Sequence, residues 1–321
     1  MLLDTRGLSV HFSSDSGPVH VISNLSFGID PGEVFCIVGE SGCGKSMTAY
    51  SIMGLLPENA RSAGEILFKG SDLLTLDDES YRNLRGKEIS MIFQEPMTSL
   101  NPVLKVGYQI GEVLMTHYGT SKKEAISKAV ELMNTVRIPS AEIRANEYPH
   151  QMSGGMRQRI MIAMAIACKP SLLIADEPTT ALDVTIQSEI LKLIRGLKDE
   201  NNMSVLFITH DLGIVSEIAD RVGVMYAGRI VETAPTSEIL KEPKHPYTMG
   251  LLNSLPAERG RPLIPIRGNV PRPDDLPSGC KFSDRCDHVI ESCRAEEPVL
   301  KETLPGHFTR CIRAGEDLWR S

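Results

Sequence analysis

Residues Gly39-Glu40-Ser41-Gly42-Cys43-Gly44-Lys45-Ser46 carry the pattern G-x-x-x-x-G-K-[ST] at every specified position. Glycines in such a loop turn consecutive backbone N–H groups toward a phosphate chain, and the positive end of the following helix faces the same anion. The chemistry indicated is nucleoside triphosphate binding. Lys45 reaches the β- and γ-phosphates, Ser46 binds Mg²⁺, and Gly39, Ser41, Gly42, Gly44 and Met47 complete the nucleotide contacts. Further along, Leu172-Leu173-Ile174-Ala175 runs into Asp176-Glu177. A carboxylate at the end of a buried strand holds Mg²⁺ through water and an adjacent one polarises the attacking water, so Asp176 takes the metal and Glu177 the water. Ser153-Gly154-Gly155 opens an apolar helix, where a serine N-cap and exposed backbone N–H groups build a second anion site.

Each of these groups needs an element to hold it. Glu33 to Val38 reads as a buried strand entering the phosphate loop, and Ser46 to Leu55 as the helix leaving it. Leu2 to Phe12 and Val19 to Ile29 alternate apolar and polar positions around Ser13 to Pro18, the pattern of a hairpin. Gly64 to Lys69 and Glu88 to Phe93 are strand-like. Composition then turns helical from Asn101 to Ala167, with Ser121-Lys122-Lys123-Glu124 opening a helix through Val136; a helical subdomain is expected at residues 85–166. Strand and helix alternate again through Leu172 to Asp176, Val184 to Glu200, Ser204 to Thr209, a helix after Asp211, and Val222 to Tyr226, which predicts an α/β fold around a mostly parallel sheet. Beyond Pro235, frequent prolines predict a separate, loop-rich appendage over residues 236–321.

The 321 residues exceed one average domain. A balance of 34 basic against 41 acidic residues, net −7, without a long run of one sign, argues against a large nucleic-acid footprint. The longest apolar run, Ile160 to Cys168, falls far short of the roughly 20 residues of a spanning helix, and no apolar signal region opens the chain, so a soluble cytoplasmic protein is expected. Disulfides fit the seven cysteines poorly. Cys280, Cys286, Cys293 and Cys311, with five, six and seventeen residues between them, suggest one metal centre, since thiolates suit zinc and iron–sulfur clusters and a loop-rich segment gains folding energy from such a staple. The spacing lacks the close pairs of structural zinc sites and departs from the ferredoxin run.

With these motifs in this order, residues 1–235 resemble an ATP-binding cassette protein. The resemblance implies a P-loop NTPase fold: a RecA-like core with an antiparallel β subdomain and an inserted helical subdomain. In that family Ser153-Gly154-Gly155 matches the signature that closes over the γ-phosphate held by a partner's phosphate loop. Gln94, before Glu95 to Pro102, resembles the glutamine that touches Mg²⁺ and the attacking water while its loop contacts membrane subunits. Ala181-Leu182-Asp183 resembles the loop crossing the dimer interface, with Asp183 at the nucleotide. His210, after Phe207-Ile208-Thr209, resembles the histidine that senses the γ-phosphate, and Phe12 the aromatic that stacks on adenine. Met156, where the general family has glutamine, and Lys244-His245-Pro246-Tyr247-Thr248 resemble the oligopeptide, dipeptide and nickel importer branch. In that branch a C-terminal four-cysteine motif is associated with a [4Fe–4S] cluster, zinc being the alternative. The resemblance implies an ATPase at the cytoplasmic face of the membrane, working with a second identical or homologous cassette, two transmembrane permease subunits and an extracytoplasmic substrate-binding protein. Its expected cargo is di- or oligopeptides, with a nickel chelate or a soluble, non-transport ATPase as alternatives.

Overall fold

The structure, a computed structural model, describes residues 1–14, 17–95, 99–180, 182–254 and 265–316. In chain order the elements are β1 (Leu3–Phe12), β2 (Val19–Ile29), β3 (Val34–Val38), α1 (Lys45–Met53), β4 (Ala60–Phe68), β5 (Ser71–Asp72), α2 (Asp78–Leu84) and β6 (Ile89–Ile92). Four helices follow: α3 (Val106–Tyr118), α4 (Lys122–Thr135), α5 (Ala141–Arg144) and α6 (Gly154–Ile166). The chain continues through β7 (Leu172–Asp176), α7 (Val184–Asn201), β8 (Ser204–Thr209), α8 (Leu212–Ile218), β9 (Arg221–Tyr226) and β10 (Arg229–Pro235). The tail holds α9 (Thr236–Lys241), α10 (Pro246–Asn253), α11 (Glu291–Ala295), β11 (Lys301–Leu304) and β12 (His307–Thr309). The chain divides into two compact units, Met1–Thr75 with Phe207–Ser321, and Leu76–Leu206.

In the first unit, the alternation read from the sequence produces an antiparallel sheet of order β2-β1-β4-β5, with Leu3, Leu8 and Val10 of β1 fully buried. Within this unit the strands of a second sheet run in the order β11-β12-β10-β9-β3. Every residue of β3 is buried, as expected of a parallel core strand, and β3 pairs in parallel with β9.

The tail is not the separate appendage its prolines predict. Strand β12 pairs antiparallel with β10, placing Glu232 opposite Thr309, and β11 pairs with β12. The tail thus extends the sheet. The pairing gives the backbone groups along β10 the partners that an edge strand would otherwise lack. Glu232, fully buried, receives the backbone N–H groups of Lys244 (2.5 Å) and His245 (3.0 Å) and lies 2.7 Å from Nε2 of His307.

In the second unit, β6 and β7 pair in parallel, and helices α3 to α6 fall where helical composition was expected. The Ser121 hydroxyl accepts the N–H of Glu124 at 3.4 Å and starts α4. Leu114, Ala125 and Cys168 form one buried apolar cluster in this unit.

Candidate nucleotide-binding and hydrolysis site

The phosphate loop lies in the first unit. Strand β3 delivers the chain to Gly39, where a Cβ would stand 2.2 Å from the Met225 carbonyl oxygen, so a side chain has no room. Gly44 adopts φ 109° and caps α1, a conformation glycine reaches without steric cost. Lys45 is 5% exposed; its ammonium donates to the carbonyls of Gly39 (2.8 Å) and Glu40 (3.2 Å), which folds it back across the loop. Ser46 and Met47 are half-buried on the first turn of α1, while Ser41 and Gly42 are exposed. Burial pushes the Cys43 thiol up to about 11, against the pull of Lys45. Phe12 is half-buried at the end of β1, and His210 is exposed at the end of β8, where the Asp211 carboxylate caps α8 by accepting the Gly213 N–H at 2.7 Å.

The carboxylate pair lies in the second unit. Strand β7 is buried throughout and ends on Asp176, which is wholly inaccessible. Glu177 follows with φ 45°, the left-handed region that non-glycine residues avoid. Its carboxylate accepts the Thr180 hydroxyl at 2.9 Å and the Gln94 side-chain amide at 3.3 Å. Gln94 and Glu177, separated by 83 positions, are therefore in contact, and Thr180, which belongs to none of the sequence motifs, joins them. Its place three residues after Glu177 was the available signal.

In the same unit the exposed Ser153 caps α6, its hydroxyl accepting the Met156 N–H at 3.3 Å. A Cβ on Gly155 would approach Cγ2 of Ile186 in α7 to 3.0 Å, so the second glycine lets these helices pack closely. Asp183 caps α7 by accepting the Ile186 N–H at 3.0 Å and is itself exposed. Ala181, and Pro96 to Thr98 of the loop after Gln94, lie outside the described residues.

Among the described residues, no three His, Cys, Asp or Glu side chains are arranged to hold a metal ion. The expected four-cysteine metal centre is thus not shown. What the fold does bring together is the cysteines themselves: Cys280, Cys286, Cys293 and Cys311 line a single pocket with His245 and Phe282. Burial pushes the Cys286 thiol up to about 11 and the Cys311 thiol to about 12, and raises that of Cys280; repulsion from neighbouring thiolates adds to each. Among the described residues, no helix is long and apolar enough to cross a membrane.

Two family descriptions match the chain: "ABC transporter" over residues 22–180 and "Oligopeptide/dipeptide transporter, C-terminal region" over residues 231–293. A putative peptide import ATP-binding protein of Brucella melitensis is 50% identical, the match covering 97% of each chain. The oligopeptide transport ATP-binding protein OppD of Salmonella typhimurium is 48% identical over 99% of this chain and 95% of its own. AppD of Bacillus subtilis, an oligopeptide transport ATP-binding protein, is 49% identical over 98% of both. Among solved structures, the ATP-binding cassette MJ0796, in a dimeric post-hydrolysis state bound to ADP and Pi, is similar with a TM-score of 0.66 and 26% identity, over 73% of this chain and 98% of that one.

Proposed function

Because this chain belongs to the ABC transporter ATP-binding family, we propose that it is the ATP-hydrolysing subunit of an importer for di- or oligopeptides. The observation that carries the chemical part is the Glu177 carboxylate, held by Gln94 and Thr180 directly after a buried strand-end aspartate. In this reading Lys45 and the loop N–H groups bind the phosphates, and Ser46, Gln94 and Asp176 hold Mg²⁺. Glu177 orients the attacking water and His210 responds to the γ-phosphate. Phe12 takes the adenine. Ser153, Gly154, Gly155 and Asp183 serve the nucleotide of a second cassette, for which their exposed helix N-termini are suited. A terminal phosphate that adds contacts only in the closed pair shifts the equilibrium toward closure, and hydrolysis removes them.

Transport needs membrane subunits on other chains. Support for their docking comes from an open groove of about 580 Å³ in the second unit, lined by Val103, Leu104, Tyr108, Ile126 and Tyr148, with Val103 76% exposed. Peptide cargo rests on the names of the relatives and on the tail they share with this chain. A peripheral position on the cytoplasmic face and an extracytoplasmic substrate-binding protein complete the proposal.

The tail cysteines are read as holding a [4Fe–4S] cluster. Four thiols lining one pocket are the donor set such a cluster takes, and a cluster shares its ligands among several irons, so a single-ion geometry is not required. Purified without air, the chain should be brown, with stoichiometric iron and sulfide; a colourless protein holding one zinc would reject the cluster.

The function is tested with Glu177→Gln in the assembled transporter. ATP binding should persist while hydrolysis and peptide uptake fall about a hundredfold or more. Undiminished hydrolysis would remove Glu177 from its role.

A further inference from the structure

Glu40, a position the phosphate-loop pattern leaves unspecified, is gripped at every polar group it has. Its carboxylate accepts two hydrogen bonds from Arg285, Nη1 to Oε2 at 2.6 Å and Nη2 to Oε1 at 3.0 Å. Its N–H donates to the Tyr247 hydroxyl at 2.9 Å. Its carbonyl accepts the Lys45 ammonium at 3.2 Å and the Cys43 N–H at 3.3 Å. Arg285 and Tyr247 both come from the tail, 245 and 207 residues away from Glu40.

These partners are themselves fixed. The Arg285 side chain is 5% exposed, and its remaining donors go to the carbonyls of Arg267 (2.7 Å) and Gly268 (3.2 Å), with the Tyr226 hydroxyl at 3.5 Å from Nη1. Although burial opposes its charge, the Glu40 carboxylate holds the guanidinium protonated above its ordinary range. Tyr247 is fully buried, its ring 4.7 Å from that of Tyr226 and 5.4 Å from that of Phe282. His245 caps α10 with Nδ1 by accepting the Tyr247 N–H, and Pro246 opens the helix, so the His-Pro-Tyr run aims one hydroxyl at the loop.

We propose that the tail sets the pose of the phosphate loop through Glu40, making Arg285 and Tyr247 positioning residues for nucleotide binding. The bidentate pair and the tyrosine fix the carbonyl on which Lys45 rests, and the carbonyls of Gly39 and Glu40 fix where its ammonium sits when a phosphate arrives. A planar, two-toothed contact is what arginine makes and lysine does not. The inference rests on the nucleotide reading and extends it to two residues of the tail.

The test is equilibrium binding of a non-hydrolysable ATP analogue to the full chain, with thermal melting measured on the same samples. Arg285→Gln and Glu40→Gln should each weaken binding about tenfold, and the double variant should be no weaker than either, because both remove one contact. Arg285→Lys should fall between, and Tyr247→Phe, which keeps the ring and loses the acceptor, should also weaken binding. Arg294→Ala, which breaks an exposed ion pair to Asp284 in the same tail, should bind as the wild type does. If Arg285→Gln melts earlier yet binds with unchanged affinity, the bridge is structural only and the proposal fails. Should that variant not fold, unchanged affinity in Tyr247→Phe overturns the proposal equally. A wild-type chain that does not bind the analogue would instead sink the nucleotide reading.

Discussion

Glu177 holds a backbone conformation that costs an ordinary residue about 1–3 kcal/mol, and its carboxylate is fixed by Gln94 and Thr180. The sequence makes the pair Asp176-Glu177 legible because an apolar run ending in two acids is a local pattern. The left-handed turn and the Thr180 contact are set by the loop's path and leave no periodic trace. His245 gives a second lesson at this scale. Burial drives its imidazole down to about 4 from an ordinary 6.5; the Glu232 carboxylate pulls the other way, and Arg310 adds to the depression. Between those two values the unfolded chain binds a proton that the folded one refuses. The stability due to neutral His245 is therefore complete above pH 6.5 and is lost as pH falls toward 4, by on the order of 3 kcal/mol in all. Urea midpoints measured down that range should fall, and His245→Asn should flatten the slope; equal slopes in both proteins would exclude His245 as the source.

Elements with a strong local signal emerged where expected: the β1–β2 hairpin, buried β3, and α4 behind its serine cap. Prolines interrupt every longer pattern in the tail, so its sequence predicts loops. Its strands β11 and β12 have only four and three residues, too short to show a period, and β12 pairs with a strand more than 70 positions earlier. Removing the chain after Ser254 should consequently do more than delete loops. It would strip β12 from β10 and leave Glu232 without His307, exposing an unpaired strand edge beside a buried acid. Light scattering should find the shortened chain self-associating, with a melting point several degrees lower; a monomer as stable as the full chain would contradict the role given to β12.

At the scale of the whole molecule, the groups proposed to bind and hydrolyse ATP are dealt to two compact units in an order the sequence already displays. Lys45, Ser46 and His210 fall in one, and Gln94, Ser153, Asp176, Glu177 and Asp183 in the other. The expectation of a second cassette comes from the family resemblance of Ser153-Gly154-Gly155, not from the spacing of the motifs. Glu177→Gln with ATP should therefore run as a stable pair on size exclusion and revert to single chains when nucleotide is withdrawn. What the sequence concealed was the clasp of Arg285 and Tyr247 on Glu40, since an unspecified position and a distant arginine advertise nothing to each other. That clasp ties the phosphate loop to the tail at a position outside the loop's specified residues. A bulky side chain introduced at Met249, which lines the same hollow as Arg285 and Ile266, should therefore be felt at the phosphate loop even though it touches none of the loop's own residues.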